Sequence, residues 1–235
     1  MILHAYCIHA QGEAPGAEVR GIAGTEVRGV EAAGLCAWVS GLDAPAAPDV
    51  DRVREHDRVV RAALATATPL PLRFGTVFDG EAALRAVLEA RAPELRASLE
   101  RVRGRVEVGV AVGWDADAAR ERVLAGRPDL RPAEGRPASG TAYLEARRRE
   151  HALEAALCEA ADSLLSRVSV AVLGALPDAE EARATLPRPG LAGTLAHLVQ
   201  RADLTRYRQI VQGAAEGAPE AELRLSGPWA PYSFV

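Results

Sequence analysis

Hydrophobic and polar positions alternate with different periods along the first hundred residues. The stretch "ILHAYCIHA", residues 2–10, is an almost unbroken apolar and aromatic run and predicts a strand; after a glycine-punctuated stretch, "TEVRGV" and "LCAWVS" predict two shorter ones. The loop "LDAPAAPD" leads to Asp49, a carboxylate placed to cap a helix in which Val53, His56, Val60, Ala63 or Leu64 and Ala67 recur every three or four residues. That helix stops before Pro69, because the residue ahead of a proline is pushed out of the helical region. In "PLPLRFGTVF", Leu70, Leu72 and Phe74 alternate as on one strand face, and Pro71 confines the strand to a sheet edge or a bulge. Gly75 permits a turn, and Arg73 falls on the face opposite the leucines. "EAALRAVLEARAPELRASLERV" then predicts a helical hairpin or a helix kinked at Pro93.

From Arg105 the pattern changes. "RVEVGVAVGW" places Val106, Val108, Val110 and Val112 on one strand face. A short helix near residues 115–124 follows, and "GRPDLRPAEGRP" has the proline, glycine and charge content of an exposed loop. A long helix over roughly 140–167 carries the stripe Leu153, Leu157, Ala161, Leu164 and Val168. "VSVAVLGAL" and "TLAHLVQR" predict strands flanking a proline-rich insert, "ALPDAEEARATLPRPG". "DLTRYRQIVQGAA" predicts a helix capped by Asp203, and "AELRLSG" a closing strand. The order strand, helix, strand, strand, helix, strand is that of a split βαββαβ, ferredoxin-like unit. The expected fold class is therefore α+β in two domains: a small α+β domain over 1–103, and a ferredoxin-like domain with an extended C-terminal tail over 104–235.

Composition narrows the function classes. Apolar residues at 49% and charged residues at 26% exclude a disordered chain and supply enough material for real cores. All 28 basic residues are arginine, and the net charge of -4 gives no overall attraction to nucleic acid or anionic lipid. No apolar run approaches the ~20 residues of a membrane span, and "MILHAYCIHA" has neither a basic leader region nor a cleavage site, so a cytoplasmic protein without nucleic-acid or membrane partners is expected.

Chemical motifs are scarce. Phosphate-cradling glycine loops, zinc-helix motifs and nucleophile elbows are all missing, so no catalytic residue, metal or cofactor is assigned. Cys7, Cys36 and Cys158 are far apart and read as buried thiols. "HAYCIH" invites a metal reading, but on a regular strand Cys7 and His9 share a face while His4 points the other way. His56 and His197 sit among apolar positions and read as core histidines with hydrogen-bond partners. In "YLEARRRE", Glu145 with Arg149 and Arg147 with Glu150 pair along a solvated helix face. Arg73 is open to two readings, an ion pair with a carboxylate of the preceding helix such as Asp57, or a contact to a ligand phosphate or a partner's acid.

The end of the chain carries the densest aromatic cluster. "SGPWAPYSFV" holds Trp229, Tyr232 and Phe234 within six residues, with two prolines that exclude a helix. Such a segment is either an anchored clamp or a docking motif, since Trp and Tyr serve both ends.

Four separated blocks in order, "LPLRFGTVF", "SGTAYLEARRRE", "LAHLVQR" and "GPWAPYSFV", resemble the gas vesicle accessory family GvpF/GvpL over nearly the whole chain. Ala230 stands where the family's terminal pattern has a proline. The resemblance implies an N-terminal α+β domain, a C-terminal ferredoxin-like domain and a non-enzymatic role. It further implies binding to the small hydrophobic gas vesicle shell protein and to other gas vesicle accessory proteins during nucleation or growth. Arg73, Trp229, Tyr232 and Phe234 are then the candidate structural or partner-binding residues. The rival expectation is a ferredoxin-like sensor or small-molecule-binding protein with Arg73 and His56 in its pocket.

Overall fold

The computed structural model describes residues 1–131, 139–217 and 221–235. Its fold class is α+β, with two sheets, and the chain divides into two compact units: Met1–Glu107 with Gly227–Val235, and Val108–Ser226. The expected boundary near 103 put the terminal segment in the second domain. The structure counts that segment with the first unit, because its side chains pack there, as described below.

In the first unit, strand β1 (Ile2–Ala10) is central. Leu3 to His9 are all buried, so an unbroken apolar run marks a strand covered on both faces. β2 (Arg28–Ala32) and β3 (Leu35–Leu42) extend the sheet on one side in the order β2-β3-β1, with β3 antiparallel to both neighbours. Helix α1 (Val50–Thr66) begins as expected at Asp49, whose side chain accepts from the Arg52 amide at 2.8 Å. Its buried face is His56, Val59, Val60, Ala63 and Leu64, whereas Val53, expected on that face, is exposed.

"PLPLRFGTVF" forms less strand than its alternation suggests. β4 (Leu70–Pro71) and β5 (Val77–Phe78) pair with different stretches of β1, Cys7–Ile8 and Leu3–His4. Between them the chain turns at Gly75, whose φ of +86° suits glycine, and Thr76 donates to the Arg73 carbonyl through both its amide (3.1 Å) and its hydroxyl (2.8 Å). The stretch expected as a helical hairpin or a helix kinked at Pro93 is two helices, α2 (Glu81–Ala90) and α3 (Ala92–Val102), separated at Arg91 with Pro93 in the first turn of α3.

The second unit's sheet has the order β7-β8-β6-β9, that of the split βαββαβ unit. β6 (Arg105–Trp114) is the valine-rich strand, and Asp115 caps α4 (Ala116–Gly126) by accepting from the Asp117 and Ala118 amides at 3.0 Å. Of the expected loop that follows, residues 132–137 lie outside the described residues.

Helix α5 (Gly140–Ala175) has 36 residues, so "VSVAVLGAL" is its last part rather than a strand. The buried positions Leu164, Leu165, Val168, Ser169 and Val172 follow helical spacing, and Val170, in the middle of the valine alternation, is 72% exposed. With no breaker before Gly174, packing overrides the β preference of three valines. The strand instead lies in the stretch read as an insert: β7 (Glu180–Arg188) pairs antiparallel with β8 (Leu191–Gln200) across a turn at Gly190. α6 (Leu204–Glu216) and β9 (Ala221–Trp229) complete the unit. Asp203 precedes α6 but makes no side-chain cap bond, so the expected cap is positional only.

Candidate functional site

Each candidate residue belongs to the first unit. The terminal segment begins within β9 at Gly227, where φ is +107° and a β-carbon would come within 2.9 Å of the Glu107 carbonyl oxygen, so only glycine fits there. Beyond it the chain coils into a tight turn, with the Tyr232 amide donating to the Ala230 carbonyl (2.8 Å) and the Phe234 amide to the Pro231 carbonyl (3.1 Å). That turn presents Ser233 to Glu107. The Ser233 amide donates to Glu107 Oε2 and its hydroxyl to Oε1, both at 2.8 Å, so both carboxylate oxygens of a 9%-exposed acid are satisfied. Glu107 sits between valines of β6 and was not singled out in the sequence. The available signal was an acid inside an apolar strand, which requires a buried partner.

Three further contacts fix the segment. Ala230 is buried in the cluster of Tyr6, Cys7, Trp38, Val59 and Val60, and Phe234 is buried while Arg101 of α3 donates to its carbonyl at 3.2 Å. The guanidinium of Arg61 lies 4.2 Å from the centre of the Trp229 ring, and its Nε donates to Asp57 at 2.6 Å. A cation over an indole at this distance contributes about 0.5–1 kcal/mol. Tyr232 is the least covered of the segment's three aromatic residues, at 37% exposed, yet burial of its phenol, with Asp57 adding to the effect, pushes its pKa up. The segment is thus anchored on its own unit, with one tyrosine edge left in solvent.

Arg73 is placed otherwise. Asp57, the carboxylate expected to hold it, is taken by Arg61, and among the described residues Arg73 makes no ion pair. Its side chain is exposed, while the next residue, Phe74, packs inward at 5.5 Å from His4 and 5.8 Å from His56, measured between ring centres. The α1 spacing puts Arg61, not Arg73, one turn from Asp57, and that shorter reach wins.

The histidines are structural in placement. His56 Nε2 lies 3.0 Å from the Leu72 carbonyl and must donate to it, so the neutral ring's Nδ1 accepts from His4 Nε2 at 2.9 Å. His4 Nδ1 is left buried without a partner. Burial, aided by the His56 charge, lowers the His4 pKa to about 4; burial alone does the same for His9, against Trp38. A bulge shifts the β1 register between Ala5 and Cys7, so the strict alternation expected of His4, Cys7 and His9 does not run through the strand. Among the described residues no three metal-binding side chains gather into a group. Cys7 and Cys36 are buried, but Cys158 is exposed on α5.

In the second unit His197 lies between Glu181 (3.1 Å) and the Tyr207 hydroxyl (2.9 Å), with both rings fully buried. The trio satisfies itself and offers no open face. "YLEARRRE" carries the expected pairs, Arg147–Glu150 at 2.7 Å and Arg149–Glu145 at 3.8 Å, on an exposed stretch of α5. Among the described residues no helix is long and apolar enough to cross a membrane.

Comparison with known proteins bears on this arrangement. The family model described as gas vesicle synthesis protein GvpL/GvpF matches residues 2–235. Gas vesicle protein L of Streptomyces sp. (strain CB03234) is 36% identical over 198 residues, covering 79% of this chain and 69% of that protein. Gas vesicle protein F of the same strain is 29% identical over 210 residues, covering 86% and 84%. The crystal structure of GvpF from Microcystis aeruginosa superposes with a TM-score of 0.81 over 99% of this chain and 98% of that one; at 17% identity it speaks for the fold alone.

Proposed function

Because the chain belongs to the GvpL/GvpF family of gas vesicle synthesis proteins, we propose that it is a non-enzymatic accessory protein that binds the small hydrophobic shell protein and other accessory proteins during nucleation or growth of the vesicle. The family match over residues 2–235 carries this reading. A shell subunit that polymerises into an apolar-lined wall exposes strand edges and apolar surface before assembly, and a folded partner that covers them prevents mispairing. In this reading the protein works in the cytoplasm and on the growing vesicle. Trp229 and Phe234 hold the terminal segment in place, and the exposed guanidinium of Arg73 and the free edge of Tyr232 meet the partner.

The test is capture of this chain by a tagged shell protein, run beside deletion of its gene and scoring of vesicles by electron microscopy. Binding together with loss of vesicles is expected. A deletion strain that builds normal vesicles, with no capture by shell or accessory proteins, overturns the proposal.

A further inference from the structure

Between α4, α5 and the end of β6, all within the second unit, lies a cleft of about 270 Å³. Trp114 forms its floor; the ring is 7% exposed and fixed in orientation, because its Nε1–H donates to the Arg188 carbonyl at 3.1 Å. The helix positions that face each other across it, Ala119, Ala160 and Ser163, are small and leave open a space that protein interiors ordinarily fill. Arg122 and Arg167 line it as well, and among the described residues no Asp or Glu does, in a chain with 32 acids against 28 bases. Arg122 bonds only to the Ala118 carbonyl of its own helix (3.3 Å) and has no carboxylate partner among the described residues.

We propose that this cleft is a docking site for a segment of another gas vesicle protein that inserts one large apolar side chain next to a carboxylate. The inference rests on the accessory role proposed above. An apolar, aromatic floor rewards a hydrophobic side chain, and the volume, below that of most small-molecule sites, suits a single one. The Arg122 guanidinium beside that floor rewards an adjacent acid through charge-assisted, bidentate bonds, and it repels a basic segment. An acid without the apolar group leaves the indole floor wet, and an apolar group without the acid leaves Arg122 unanswered.

The experiment co-expresses the full chain with each protein of its gas vesicle gene cluster, singly tagged, and measures capture by wild type, Ser163→Phe and Arg122→Glu. Ser163 and Arg122 are exposed, so both variants should keep the wild-type melting curve; the first plugs the cleft and the second reverses its charge. Capture of at least one partner should fall tenfold or more in both variants while other captures persist, and an acid-to-Arg change in that partner should restore binding to Arg122→Glu. Loss in Arg122→Glu alone marks a charged patch and overturns the cleft as the site. Retention in both variants overturns it too, as does loss confined to capture of a second copy of this chain. If wild type captures no gas vesicle protein, the accessory role falls and the cleft proposal with it.

Discussion

The terminal segment and the Arg73 turn lie in the same unit and both stand out in the sequence, yet the structure treats them in opposite ways. In the segment nearly every group is spoken for: Ser233 by Glu107, the Phe234 carbonyl by Arg101, the Trp229 ring by Arg61 and Ala230 by the core. In the turn the backbone closes on itself through Thr76, Phe74 points inward, and the guanidinium of Arg73 is left in solvent. The aromatic segment is therefore cement, while the guanidinium of Arg73 makes no ion pair among the described residues. Deleting the segment tests the first half of that contrast and gives the largest expected effect. Removing residues 229–235 strips the burial of Phe234 and Ala230 and leaves Glu107 buried without its donors. A buried Phe alone is worth on the order of 3 kcal/mol against Ala, in a fold of ~5–15 kcal/mol. The truncated chain should lose cooperative melting by circular dichroism, and Phe234→Ala should melt well below wild type. A truncated chain with a wild-type melting curve makes the segment an appendage instead.

Acid is the next largest perturbation, and it separates the two regions. The ordinary histidine value is 6.5, and His4 and His9 are held at about 4. Above pH 6.5 both are neutral whether the chain is folded or not, and nothing is lost. Between pH 6.5 and 4 the unfolded chain takes up protons that the folded one refuses, so stability falls as pH falls, by on the order of 3 kcal/mol for each histidine at the bottom of the window. His4 touches Phe74, so the Arg73 turn should loosen first. Hydrogen exchange by mass spectrometry at pH 7.5 and 5 should show faster exchange over 69–80 than over 227–235 at the lower pH. Equal acceleration in both stretches removes the distinction.

Much of this was legible in the residues. The Asp49 cap, the helix pair split near Pro93, the valine strand and the terminal segment all announce themselves through local chemistry that the structure retains. The failures have two causes, a distant partner or a nearer competitor. Val168 to Val172 alternate like a strand and are helical because one face of α5 meets a sheet whose position no local pattern encodes. Arg73 and Asp57 look complementary, but the helix supplies Arg61 first. Glu107 gains its meaning from Ser233, far along the chain, so its role appears only when both are placed.

Glu107 gives the third test. Glu107→Gln keeps the shape and one acceptor for Ser233 but removes the charge that strengthens both bonds, a loss of about 1–2 kcal/mol. The melting temperature should fall by a few degrees, roughly 2–4 °C per kcal/mol for a chain of this size. No change would mean that the segment is held by its apolar contacts alone.

Arg73 carries the smallest expected effect on stability and the sharpest on the comparison. Its guanidinium makes no ion pair among the described residues and its side chain is exposed, so Arg73→Ala should stay within ~0.5 kcal/mol of wild type, the usual range for a surface site without special contacts. If the residue meets a partner's carboxylate, capture by the shell or accessory proteins should nevertheless weaken. Arg73→Lys should then restore only part of it, because a point-charge ammonium cannot reproduce the two parallel bonds of the planar fork. The expected signature is thus an unchanged melt with reduced capture, the reverse of Phe234→Ala, where the melt collapses and capture fails with it. A destabilised Arg73→Ala protein that captures its partners normally would restore the intramolecular ion-pair reading and end the contrast between the two regions.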